Sequence, residues 1–367
     1  MTITKKYMLT LAIMAICSNS AFAASWLECN GDSGKKIRWG GNSTSARINT
    51  GSFPSGSVLQ AAQRGINITN TNPSPFNINH STETGGVGSG NGQNEVWAES
   101  ISPPGEARMR YHCYWAFGWH YGLDEVDIVL DSTGRSWTTS QNKNSNFAYT
   151  GSNRPIDAVI VHEAGHYLGL MHVNWEYNVM GDSWRHHHTN GNTAKTYFGE
   201  DASHGARVLY GSQGSNFNDV SASHWRRTGA SGEYSSHGRV RVRNSANTGT
   251  LQGITIAGEP GYRVTRGNTV RPEFTIENNG KQTHSNVTYG IYISTNDYIS
   301  YGDTRIGGGS FGSIHPADVY TTTVPVIIPN YLNAGQNYWL GIIVDEDNDI
   351  SEVSGSNNRA YIPVRVQ

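Results

Sequence analysis

The spacing of apolar residues changes character three times along this chain. Tyr7 to Cys17 is an apolar stretch behind Lys5 and Lys6, too short to span a bilayer as a resident helix. A small, polar run follows and ends in Ala21-Phe22-Ala23, the A-x-A pattern of a signal-peptide cleavage site. A lipoprotein anchor at Cys17 is the alternative, but Ile16 before it is bulkier than such sites carry. Residues 1–23 are therefore expected to be removed, leaving a secreted protein. No later segment is apolar enough to cross a membrane.

Beyond the leader, helical and strand spacings mix. In Ser55 to Ile68, Val58, Leu59, Ala62 and Ile66 recur near helical spacing behind a serine cap. Thr71 to Gly105 is rich in Gly, Ser, Asn and Pro and reads as a long surface loop. Asp124 to Leu130 has the β-branched core of a strand. Arg154 to Leu170 is the clearest helix, with Pro155 in its first turn, Asp157 to stabilise that turn and Gly169 to end it. Residues 212–232 read as a linker, being Gly-, Ser- and Asn-rich. After them come short alternating strands at Arg239–Val242, Val270–Ile276, Val287–Ile293, Val319–Ile328, Trp339–Val344 and Tyr361–Val366. With no helix between them, they predict a β-sandwich over residues 233–367. The fold class expected is α+β for residues 24–211, followed by all-β.

Length and composition fit that division. A chain of 367 residues, 36% hydrophobic and 15% charged, is long enough for two cores. A net charge of −2 without a basic run speaks against nucleic acid and anionic membranes as partners. Removal of the leader leaves Cys29 and Cys113, and an oxidising compartment favours one disulfide between them. The other reading is a free Cys29 thiolate latched onto a metal, but nothing around it (ECNGDSG) looks like a latch.

The candidate chemistry lies in His162 to His172, HEAGHYLGLMH. On a helix, His162 and His166 share a face and can reach one ion. Glu163, one step round, can take a proton from water beside that ion. Gly169 permits the turn that brings His172 back as third ligand. Three imidazoles with an open position describe a catalytic zinc site.

This pattern, HExxHxxGxxH, resembles the zinc signature of the metzincin metallopeptidases. The resemblance implies a Met-turn beneath the metal, a role that fits Met180. It also implies that Asp124–Asp131 is the edge strand lining the substrate cleft, as in matrixins. Tyr197–Gly211 would be their closing helix, begun by Asp201. The activity implied is peptide-bond hydrolysis of extracellular protein or peptide substrates, with Glu163 as general base. Several features depart from the family. Only a few residues separate the expected leader from the apparent fold, so latency through a cysteine-bearing prodomain is not expected; Val173 stands where matrixins carry Ser, and Asp182 replaces the metal-binding tyrosine of astacins and serralysins. The triplet His186-His187-His188 reads as a solvated polar loop, the sharper alternative being a second metal site or a contact at the cleft.

Tyr262 to Val366 resembles a CARDB module through Tyr292-Ile293-Ser294-Thr295-Asn296, Gly302-Asp303 and Ile342–Asn358. The resemblance implies adhesion to a cell-surface or matrix ligand, so cleavage of a small peptide is expected to survive its deletion. Asp345, Asp347, Asp349 and Glu352 could hold Ca2+ or simply shape a turn. An adhesion protein with an inactive peptidase-like domain is the competing function. Glycan hydrolysis is a weaker third, because no carboxylate pair frames a sugar-sized site.

Overall fold

A computed structural model describes residues 24–367 apart from 54, 134–135, 150, 174–177, 182–186, 213–216 and 228–236. The expected leader and its cleavage site lie outside the described residues, as do parts of the expected linker. Buried apolar side chains form two large clusters, one drawn from Cys29 to Tyr210 and the other from Val220 to Val366.

The first cluster sits under a five-stranded sheet. Strand β1 (Ser25–Trp26) stands apart, and the sheet is built from β2 (Ser43–Asn49), β3 (Asn77–Glu83), β4 (Glu95–Glu99), β5 (Gly105–Trp115) and β6 (Trp119–Asp131). Their order is β3-β2-β4-β6-β5, parallel except for the antiparallel β5–β6 hairpin. Helix α1 (Gly56–Thr69) starts where the sequence predicts, with Ser55 Oγ accepting from the Val58 N–H at 3.4 Å. Helix α2 (Ile156–Tyr167) is buried on every side. The two helices can close up because Gly65 has no side chain: a Cβ there would lie 2.4 Å from Ile160 Cγ2. Asp157 accepts from Arg64 at 2.8 Å and so ties α2 to α1.

Two expectations about this sheet change. Residues 71–105 are not all loop, since β3 and β4 lie within them. Parallel strands this short, set among Gly and Asn, leave too little alternation to be seen. The strand containing Asp124–Asp131 is not the edge either, because β6 lies between β4 and β5. The edge on that side is β5, whose Glu106, Arg108 and Arg110 blur the apolar stripe.

The second cluster fills a sandwich. One sheet orders Gly253–Ile256, Glu259–Val264, Arg359–Val366, Asn337–Val344, His284–Ser294 and Thr304–Ile314. The facing sheet is built around Thr269–Asn278. Val220–Ser223, expected in the linker, pairs with that strand, and its small side chains are fully buried. Small polar residues read as linker because their burial depends on a partner strand distant in sequence.

The two units also share polar contacts. Lys143 donates from Nζ to Glu259 Oε1 at 2.9 Å, to Tyr361 Oη at 2.8 Å and to Asp297. Asn190 bonds both backbone groups of Ile299, and Tyr197 Oη lies 2.6 Å from Ser356 Oγ. The Cys29–Cys113 disulfide is present, with Cα atoms 5.7 Å apart, and fastens β5 to the first core.

Candidate metal centre

Helix α2 places His162 and His166 one turn apart, both buried. Each ring is held from behind: His162 Nδ1 lies 2.7 Å from the Val179 carbonyl, and His166 Nδ1 lies 2.8 Å from the Leu170 carbonyl. A carbonyl can only accept, so each Nδ1 carries the proton and each Nε2 presents a lone pair. After α2, Gly169 takes a left-handed φ of 93°, and a Cβ there would meet the Ile37 carbonyl oxygen at 2.7 Å. The reversed chain is pinned by pairing of Leu170–Met171 with β1. His172 then returns with its Nε2 3.0 Å from the Nε2 of both His162 and His166.

The three nitrogens converge in a way hydrogen bonds alone cannot satisfy. Two of them are unprotonated, and one proton on His172 could serve only one of those two. A shared cation satisfies all three, and an all-imidazole donor set with carbonyl-fixed tautomers suits zinc. Burial holds the His162 imidazole well below its ordinary range, with His166 adding to the effect. Burial, then His172, brings His166 to about 4. Both rings are thus neutral at neutral pH, the form that binds a metal. Among the described residues, this is the group of His, Cys, Asp or Glu whose ligand atoms all lie within 4.8 Å of one another.

Glu163 faces a cleft of about 400 Å³ lined by the three histidines and by Gly105, Glu106, Ala107 and Met109. Burial, and secondarily the charge of Glu106, pushes its carboxyl up to about 8, against a bond from the Ala107 backbone. Gly105 allows β5 to pass this close, since a Cβ there would stand 2.5 Å from Val159 Cγ1 and 2.9 Å from Glu163 Oε1. Sequence reading missed Gly105; its only signal was a glycine entering a strand directly after Pro103-Pro104.

Met180, 1% exposed, packs on α2 next to His166, in the space left by Gly165, where a Cβ would be 2.2 Å from its Sδ. Its turn is shaped by Asn178, whose Oδ1 accepts from the Met180 N–H at 2.8 Å and whose Nδ2 donates to Asp201 Oδ2 at 2.8 Å. Asp201 belongs to helix α3 (Gly199–Tyr210), so the closing helix supports the turn that orients His162. Asp182 and His186 lie outside the described residues. His187 and His188 are not solvated: both are buried on the strand His187–Asn190, where His188 Nδ1 lies 3.0 Å from the Ala222 carbonyl. Pairing with Thr193–Thr196 and cover from the sandwich bury them, and neither joins the triad.

Two carboxylates of the acidic loop, those of Asp345 and Glu352, bond the chain itself. Asp345 accepts from the Asp349 and Ile350 N–H groups at 3.1 and 3.2 Å, and Glu352 accepts from the Val220 N–H at 2.6 Å. Glu352, a calcium-ligand candidate by sequence, joins the strand Val220–Ser223 to the loop.

Residues 255–361 match the CARDB family model, and the C-terminal sandwich is a CARDB domain. Among solved structures, the crystal structure of the CARDB domain of the PF1109 protein from Pyrococcus furiosus, in complex with di-metal ions, is 16% identical. It covers 41% of this chain and 90% of that one, at a TM-score of 0.25. The solution NMR structure of the same domain is 18% identical, covering 41% and 97%, also at 0.25. No curated protein matches the chain.

Proposed function

We propose that the N-terminal unit, residues 24–211, is a metzincin-like zinc endopeptidase, exported from the cell and carrying its CARDB domain as a binding module. The convergence of three imidazole Nε2 atoms, two with tautomers fixed by carbonyls, is the observation that carries this reading. His162, His166 and His172 would hold the zinc, which supplies a Lewis acid for a peptide carbonyl and for water. Glu163 lies in the same cleft, where the positive charge of a bound zinc would favour its ionised form against the burial that raises it; as carboxylate it serves as general base, taking a proton from the attacking water and returning it to the leaving amine. Met180 and Asn178 keep the His162 ring in place. Strand β5 forms the wall along which an extended peptide would lie.

The test uses the purified chain, a quenched peptide library and a zinc chelator. Chelator-sensitive turnover restored by zinc supports the assignment. Glu163→Gln is expected to keep zinc, by elemental analysis, and to lose nearly all turnover. A fully active Glu163→Gln protein would falsify the assigned role, and a zinc-loaded but silent parent would favour an adhesion protein.

A further inference from the structure

The β5–β6 hairpin carries a second surface, independent of the metal centre. From Tyr111 to Tyr121 it reads YHCYWAFGWHY, without one Asp, Glu, Lys or Arg. Its aromatics face solvent: Phe117 at the tip is 106% exposed, Trp115 is 68% and Tyr114 is 53%, with Trp119, Tyr111 and Tyr121 also exposed. Single exposed aromatics need no explanation, but this many on one hairpin do.

The arrangement is graded. Phe117, with no polar atom on its side chain, is outermost, and Trp115 pairs with Trp119 just behind it. Tyr114 stacks on His120 one step further back, with ring centroids 5.2 Å apart. Phe117 is held at a left-handed φ of 52°, unfavourable for a bulky residue, at the outermost point of the turn. The Cys29–Cys113 disulfide anchors the hairpin from the buried side, so its aromatics are displayed on a fixed support.

Charge is placed behind the aromatics. Lys35 Nζ sits 3.8 Å from the centroid of Trp119 while paired with Asp32, so the cations left for a phosphate are Lys36 and Arg38. At the foot of the hairpin is a cavity of about 460 Å³, lined by Lys36, Arg38 and Tyr121 and by no acidic residue. An apolar tip, amphipathic Trp and Tyr behind it, and then cations match in order the acyl region, interface and phosphates of a bilayer.

We propose that this hairpin docks the protein on a phospholipid bilayer, with Phe117, Trp115 and Trp119 entering the interface and a headgroup phosphate taken by Lys36 and Arg38. The low charge of the chain fits a contact driven by aromatic burial. Absence of a basic run, which speaks against purely electrostatic attraction, does not bear on it.

The full chain would be co-sedimented with phosphatidylcholine vesicles, its N-terminus fixed by mass spectrometry so that residues 1–23 are accounted for. A parallel sample would contain brominated acyl chains. Partitioning with quenched tryptophan fluorescence is expected. The triple variant Trp115→Ser/Phe117→Ser/Trp119→Ser should lower partitioning at least about tenfold, and Lys36→Gln/Arg38→Gln about threefold. Unchanged thermal unfolding would show that the variants are folded, as full exposure of the tip predicts. No partitioning of the parent, or equal partitioning of parent and triple variant, overturns the proposal. So does retention on insoluble peptidoglycan that only the triple variant loses, with vesicles ignored, which would make the hairpin a glycan-binding surface.

Discussion

Replacing Lys143 by Met is expected to loosen the join between the two units. Lys143 is 7% exposed and its main partner Glu259 is 4% exposed, so the substitution leaves a buried carboxylate short of a cation. Removing one partner of a buried pair is destabilising by about 3–5 kcal/mol. Glu259 keeps Arg239 at 3.3 Å and the Tyr361 hydroxyl, which places the expectation at the lower end, about 3 kcal/mol. For a chain of this size that is roughly a 4 °C fall in Tm. Differential scanning calorimetry reads both the midpoint and the number of transitions, and the loosened protein should resolve two. Adding Glu259→Gln removes the stranded charge and should recover part of the loss. A Lys143→Met protein within about 0.5 kcal/mol of the parent, unaffected by the second change, would refute the account.

Two further outcomes follow from the same kind of reasoning. Gly105→Ala places a methyl group 2.5 Å from Val159 and 2.9 Å from Glu163, and should lower stability by about 1–3 kcal/mol. It should lower peptide turnover proportionally more while zinc content is unchanged; undiminished kcat/KM would show that β5 does not set Glu163. In the sandwich, burial pushes Asp219 up to about 7 and Glu352 up to about 8. Both values lie above the unfolded carboxyl range, so their stabilising contribution is full near pH 4 and is lost as pH rises through 7 and 8. Urea unfolding should show a sandwich weaker at pH 8 than at pH 5, and Glu352→Gln should flatten that difference; an unaltered slope counts against it.

How far the sequence revealed the molecule depended on how local each feature is. Ser55, the α2 histidines, Gly169 and His172 lie within short segments whose geometry follows from helix spacing and one left-handed turn, so they could be read directly. The edge strand could not, because position in a sheet is a relation among distant segments and β5 lacks a clear apolar alternation. The carbonyls of Val179 and Leu170 that fix the rings have no side-chain signature at all. The strand Val220–Ser223 looked like linker because its small polar residues are buried only by Thr269–Asn278. Lys143 gave no hint of its partners, which are 116 or more residues away. For that reason deletion of the module also probes the stability of the N-terminal unit, alongside the expected survival of small-peptide cleavage. Deletion would expose Lys143, whose partners Glu259, Asp297 and Tyr361 lie in the module.

The fixed ring tautomers bear on which ion the protein would carry. A donor set that is already oriented gains little selectivity by rearranging, and three imidazoles accept several first-row ions, with copper ahead of zinc in intrinsic affinity. The identity of the ion would then be decided by supply in the compartment where the chain folds, and a cobalt-loaded form should be accessible simply by changing that supply.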